Sequence, residues 1–221
     1  MTGVLTSPTL ATTWPDVAAL SYSVATHQEE AHDYHDDPTT RGPSAPWGTA
    51  VRSLALLRGV NVGGHHKVAM KDLASWLGDA GFTSVTTYIQ SGNVVLDHDP
   101  DHDVASMVRA AIAEHAGFDV AVLVRSAREM ATVVVSNPFP EAPPTTLHVA
   151  FRQHEPDAAL LASLDPARWE PEQFVTRGRE VYLHLPAGMG RSTMVPRLAL
   201  VKEATIRNWN TVTVLTEMLT R

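Results

Sequence analysis

Four segments carry more cationic and amide side chains than packing calls for. The first runs from Arg58 to Lys67 and holds Arg58, Gly59, Asn61, Gly63, Gly64 and Lys67 between an apolar run and a helical pattern. Glycines let backbone N–H groups turn toward a ligand, a helix N-terminus favours an anion, and Arg and Lys supply countercharge. His65 follows Gly64 where a phosphate-cradling Walker loop needs Lys-Ser/Thr, and no G-x-G-x-x-G is present. A glycine-rich connection with solvated charges is the alternative. The second segment is Gln90-Ser91-Gly92-Asn93. Gly and Asn satisfy a tight turn, whereas Gln90 and Ser91 are not needed for turning and are free to bind. In the third, Gly190-Arg191-Ser192, a helix start with Ser as N-cap or an anion site are equally good readings. The fourth, Arg207-Asn208-Trp209-Asn210, suits a planar polar ligand through stacking and amide hydrogen bonds. Asn210 with Thr211 could instead cap the last helix, with Trp209 packed beneath.

Other chemistries are absent from the sequence. Without cysteine there is no disulfide, Cys-ligated metal or thiolate nucleophile. No G-x-S-x-G elbow and no H-E-x-x-H occur, so the catalytic residues are unknown. Pro100 interrupts His98 and His102, and Asp99, Asp101 and Asp103 read as a solvated loop and a helix N-cap. His27, His32 and His35 stand among carboxylates, where weak divalent-metal binding competes with a solvated linker. No metal is assigned and the cofactor is unknown. The net charge is −7, of which −5 lies in residues 1–51, leaving the rest near neutral. That distribution speaks against a broad basic face for duplex DNA. No apolar run approaches the roughly 20 residues of a membrane span and no secretory signal opens the chain, so a cytoplasmic protein is expected.

Residues 1–50, with five prolines and no sustained periodicity, read as a disordered extension with a short helix near Asp16–Thr26. Val51 directly precedes the first strand and is a candidate alternative start; an intact mass showing the Met1 form would exclude it. From Arg52 the pattern changes. Arg52-Ser-Leu-Ala-Leu-Leu-Arg58 predicts a buried strand, and Met70, Leu73, Leu77 and Ala80 a helix stopped by Gly81. Val85–Gln90 and Asn93–Asp97 form a hairpin. Val104, Met107, Val108, Ala111 and Ile112 mark a second helix, and Val120–Val124 a fourth strand. Ser126-Ala-Arg-Glu129 is a capping-box pattern opening a third helix, which the prolines after Asn137 must end. The order then repeats: strand Leu147–Arg152, helix Pro156–Leu164, strands Phe174–Arg177 and Glu180–Leu185, helix Arg191–Lys202, strand Ala204–Arg207, helix Asn210–Leu219. This is α+β: two tandem ferredoxin-like (βαββαβ) α/β-plait units, each followed by a helix, over 51–137 and 145–221.

The strings Leu56-Leu-Arg-Gly-Val-Asn-Val-Gly-Gly64, Thr87-Tyr-Ile-Gln-Ser-Gly-Asn-Val-Val95, Gly188-Met-Gly-Arg-Ser192 and Arg207-Asn-Trp-Asn-Thr-Val212 resemble, in order, the signature of the domain-of-unknown-function 1697 family. The resemblance implies two tandem ferredoxin-like domains and no particular activity. Two positions depart from it. Thr193 stands where the family usually has lysine after Gly-Arg-Ser, and Val195-Pro196 replaces more polar residues. Both weaken a basic role for the helix expected there.

The leading expectation is a binding protein with a pocket between its halves for a small anionic ligand, a nucleotide or phosphorylated metabolite. Arg58, Lys67, Arg191 and Arg207 would supply charge, Asn61, Asn93 and Asn208 hydrogen bonds, and Trp209 stacking. An enzyme of transferase or hydrolase type using that pocket, or single-stranded RNA binding on exposed strand aromatics, are the alternatives. Oligomeric state is unknown.

Overall fold

A computed structural model of the chain describes residues 49–63 and 66–221, which fall in one compact unit. The expected extension with its helix and histidines, apart from its last two residues, and also Gly64 and His65, lie outside the described residues.

The described residues are α+β, with five α-helices and two four-stranded antiparallel sheets. The first sheet contains β1 (Val51–Leu57), β2 (Thr83–Tyr88), β3 (Asn93–His98) and β4 (Val122–Ser126), in the order β2-β3-β1-β4. Helix α1 (Met70–Asp79) lies between β1 and β2, α2 (Val104–Ala116) between β3 and β4, and α3 (Ala127–Val135) follows β4. In the second sheet β5 (Leu147–Phe151), β6 (Gln173–Arg177), β7 (Glu180–His184) and β8 (Thr205–Asn208) take the order β6-β7-β5-β8. The short α4 (Ala158–Ala162) follows β5, and α5 (Trp209–Met218) follows β8.

Strand β1 reads as a continuous apolar run because both of its faces are covered. Ala55 and Leu57 join α1 and α2 in an outer cluster, while Leu54 and Leu56 face a central one. β5 does the same: Val149 and Phe151 face the centre, and Ala150 a third cluster with Met194, Leu198 and Leu200. The central cluster draws residues from both sheets, from α3 (Met130, Val133) and from α5 (Val212, Leu215) with Leu219 just past its end. The helix trailing each sheet is therefore built into a core the two sheets share.

Local signals are realised where the backbone alone could satisfy them. Ser126 and Glu129 form a full capping box, and Asp103 accepts from the Ser106 N–H at the start of α2. The hairpin connection is longer than expected: β2 ends at Tyr88 instead of Gln90, because Ile89 takes a left-handed φ of 48°. At Gly92 φ is +72°, and a Cβ there would lie 2.7 Å from the Leu57 Cβ, so only glycine fits.

One expected element is absent. Arg191–Lys202 is not a helix but two single 3-10 turns, Met189–Arg191 and Ala199–Val201, separated by extended and turn residues. Pro196 has no N–H to donate and pushes Val195 away from helical geometry, which ends any helix in the middle of this stretch. Gly190-Arg191-Ser192 accordingly opens no helix.

Candidate functional site

The central polar residue is Arg207. It lies on β8, 7% exposed, and its guanidinium reaches across to the first sheet. It donates to the Asn93 Oδ1, to the Leu57 and Ser91 carbonyls at 2.9 Å each, and to the Thr205 Oγ1 at 2.7 Å. No carboxylate among the described residues pairs with it, and burial pushes its pKa down to about 10, so it remains charged at neutral pH. Asn93, fully buried, donates in turn to the Tyr88 carbonyl and the Ser91 Oγ at 3.0 Å each. The Gln90–Asn93 turn and Arg207 are brought together here, but Arg207 and Asn93 spend their hydrogen bonds on the fold.

Asn61 has the same role further out. At φ 57° its side chain donates to the Val68 carbonyl (2.9 Å) and the Gln90 carbonyl (2.8 Å) and accepts from the Val68 N–H (2.9 Å). It ties the Gly59–Lys67 loop to the hairpin. Gly59 and Gly63 are also left-handed, at 72° and 61°. Beside this tie is an open hollow of about 380 Å³ lined by Asn61, Lys67, Val68, Ala69 and Gln90. Ala69 is the N-cap of α1 and offers no side-chain oxygen to the helix's first N–H groups, although Asp72 in the first turn offsets some of the positive end. The exposed side chains of Lys67 and Gln90 have no partner among the described residues. Ile89, β-branched yet left-handed, is 51% exposed next to Gln90. Such strain tends to collect at binding sites.

Arg58 is exposed and donates to the Lys202 carbonyl at 2.8 Å, at the edge of a separate hollow that also holds Arg109 and His154. Arg191 is exposed with no partner among the described residues. The anion position next to Ser192 is filled by the chain itself. Glu172, 7% exposed, accepts from the Met194 N–H (2.7 Å), the Thr193 N–H (3.2 Å) and the Ser192 hydroxyl (3.2 Å). Ser192 does cap locally, accepting from the Val195 N–H at 3.0 Å. At the last helix the N-cap is Asn208, not Asn210: its Oδ1 accepts from the Asn210 N–H at 2.9 Å. Trp209 packs against the central cluster, and Asn210 is exposed.

Two features are not legible in the sequence pattern. Arg125, 1% exposed within β4, pairs with Glu180 of β7 at 2.9 Å, and Glu129 pairs with Arg179. An arginine inside the run Val122-Leu-Val-Arg125 was the available signal. The capping role of Glu129 hid its second partner. His98 is also structural, bonded to Ser53 at 2.9 Å and near the Asp99 carbonyl at 2.7 Å. Among the described residues no three His, Asp or Glu side chains gather as a metal site, and no helix is long and apolar enough to cross a membrane. Of the strand aromatics, Phe151 and Tyr182 are buried, while Tyr88 and Phe174 pack half-buried against the core.

No curated protein matches the chain. A solved structure described as "The structure of conserved bacterial protein SP0830 from Streptococcus pneumoniae" is similar in fold, with TM-score 0.65 and 21% identity, covering 78% of this chain and 100% of that one. The family described as "Protein of unknown function (DUF1697)" matches residues 51–182, more than half of the chain, ending before Gly188–Ser192 and Arg207–Val212. With its Leu56–Gly64 and Thr87–Val95 strings inside that span, the chain belongs to the DUF1697 family.

Proposed function

We propose that this protein binds a small anionic ligand, a nucleotide or phosphorylated metabolite, in the hollow between the Gly59–Lys67 loop and the Gln90–Gly92 turn. The observation that carries this reading is a division of labour. Asn61, Asn93 and Arg207 have their side chains committed to holding the loop and turn, while Lys67, Gln90 and the uncapped start of α1 stay free around an open volume. Groups held in place before a ligand arrives lose little entropy on binding. Lys67 supplies the charge, the α1 N–H groups and Gln90 the hydrogen bonds. Arg207 supports the site from behind rather than touching the ligand. Stacking RNA bases on a sheet is disfavoured, since the strand aromatics serve the core.

The same reading takes residues 51–137 and 145–221 as two ferredoxin-like domains of a cytoplasmic protein. The matching strand orders β2-β3-β1-β4 and β6-β7-β5-β8 support the duplication. The test is an amide NMR titration of the full chain with inorganic phosphate and with ADP at low salt. Saturable shifts at Lys67–Met70 and Gln90, weakened about tenfold in Lys67→Ala, are expected, since one charge-assisted contact is worth about that much. A folded protein whose hollow residues do not shift with either probe would refute it.

A further inference from the structure

We propose that a second anion site lies in the cleft between α3 and the β6–β7 hairpin, and that it takes a small organic anion, a phosphate or carboxylate head on an apolar or aromatic body. The cleft encloses about 390 Å³ and is lined by residues from both halves of the chain, among them Arg128 and Val133 of α3 and Arg177 and Tyr182 of the hairpin strands. Its carboxylates are already neutralised. Glu129 is held by Arg179 and Glu180 by Arg125, so each negative charge has its own guanidinium. Arg128 and Arg177 are left over. Both are exposed, neither has an ion pair among the described residues, and Arg177 makes only a 3.4 Å contact to its neighbour's carbonyl. The result is a local excess of two positive charges in a chain whose net charge is −7.

The two free arginines are held on opposite walls. Glu129–Arg179 clamps α3 to the hairpin one residue along from Arg128 on one side and two from Arg177 on the other. Arg177 lines the hairpin side of the cleft, and its charge opposes the upward push of burial and of Glu180 on the Tyr182 hydroxyl. The Tyr182 hydroxyl donates to the Val133 carbonyl at 2.7 Å, which ties the buried base of the cleft together and leaves that hydroxyl no spare donor. Two forked cations beside a largely apolar cleft match an anionic head with an apolar body, because guanidinium binds phosphate and carboxylate bidentately while the aliphatic stems of Arg128, Thr132 and Arg177 line the remainder. Glu129 and Glu180 are held in ion pairs and the Thr132 hydroxyl donates to the Arg128 carbonyl, so the assignment is one of binding.

Isothermal titration of the full-length protein at low salt with phenyl phosphate, phenylacetate and inorganic phosphate tests this. Because Arg128 and Arg177 are exposed and without ion pairs, Arg128→Gln and Arg177→Gln should fold, which circular dichroism checks. The expected result is saturable binding of phenyl phosphate or phenylacetate, tighter than inorganic phosphate. The titrations are made on Lys67→Ala protein, which lacks the cation of the other hollow, and each arginine variant added to it should weaken binding about tenfold. The better of the two organic probes identifies the head group. Equal affinity for inorganic phosphate overturns the organic-body assignment. Binding that survives both arginine variants, or no saturable binding by any probe, overturns the site.

Discussion

Replacing Arg207 with methionine separates a structural hub from a ligand contact. The side chain is of similar length, but all five guanidinium N–H donors disappear. Three acceptors depend on them. The Ser91 carbonyl and the Asn93 Oδ1 have no other donor, and the Leu57 carbonyl keeps only a 3.3 Å contact from the Thr205 hydroxyl. The Gly92 carbonyl is spared, because the Leu57 N–H already reaches it at 2.8 Å. A buried acceptor left unpaired costs about 1–3 kcal/mol. Against this, removing a buried guanidinium that has no carboxylate partner relieves some of its desolvation. The balance is a loss of about 3 kcal/mol, or roughly 6–12 °C in Tm for a domain of this size. Urea unfolding should show a lower midpoint with an unchanged slope. Arg207→Lys should recover only a fraction of the loss, since an ammonium cannot span the Leu57 and Ser91 carbonyls as a fork does. A loss below about 1 kcal/mol in the methionine variant, with phosphate binding abolished, would refute the reasoning and return Arg207 to the ligand.

Gly92→Ala combines a left-handed φ with a 2.7 Å clash against Leu57, and should cost about 2–4 kcal/mol in the same unfolding assay; an unchanged midpoint would mean the hairpin shifts freely. His148, buried on β5 with no hydrogen-bond partner for its Nδ1 among the described residues, has its pKa lowered by desolvation. The unfolded chain therefore takes up that proton first. Stability should be fully present above about pH 6.5 and decline as pH falls below it. His148→Leu should flatten the slope between pH 7 and 5 in a series of urea melts, and an unaltered slope would clear His148 of the effect.

Much of this protein is decided by neighbours in sequence. The capping box at Ser126 and Glu129 is satisfied within a few residues, and the apolar run of β1 and the turn glycine at 92 are legible as local patterns although their packing partners are distant. The order of elements in the first half follows from such local signals, and so does the concentration of polar side chains around Arg58–Lys67, Gln90–Asn93 and Arg207–Asn210. What those side chains point at is not local. Arg207 meets Asn93 across 114 residues, and only the packing of the second sheet against the first makes backbone carbonyls, rather than a ligand, its acceptors. Glu172 occupies the anion position at Ser192 from 20 residues away, and Pro196 removes the helix that would have framed it. The free groups are those left when such pairings are complete. Lys67 and Gln90 at one hollow, and Arg128 and Arg177 at the other, become distinct only by subtraction, since a polar side chain shows whether it is free only after the tertiary structure has supplied or withheld its partners.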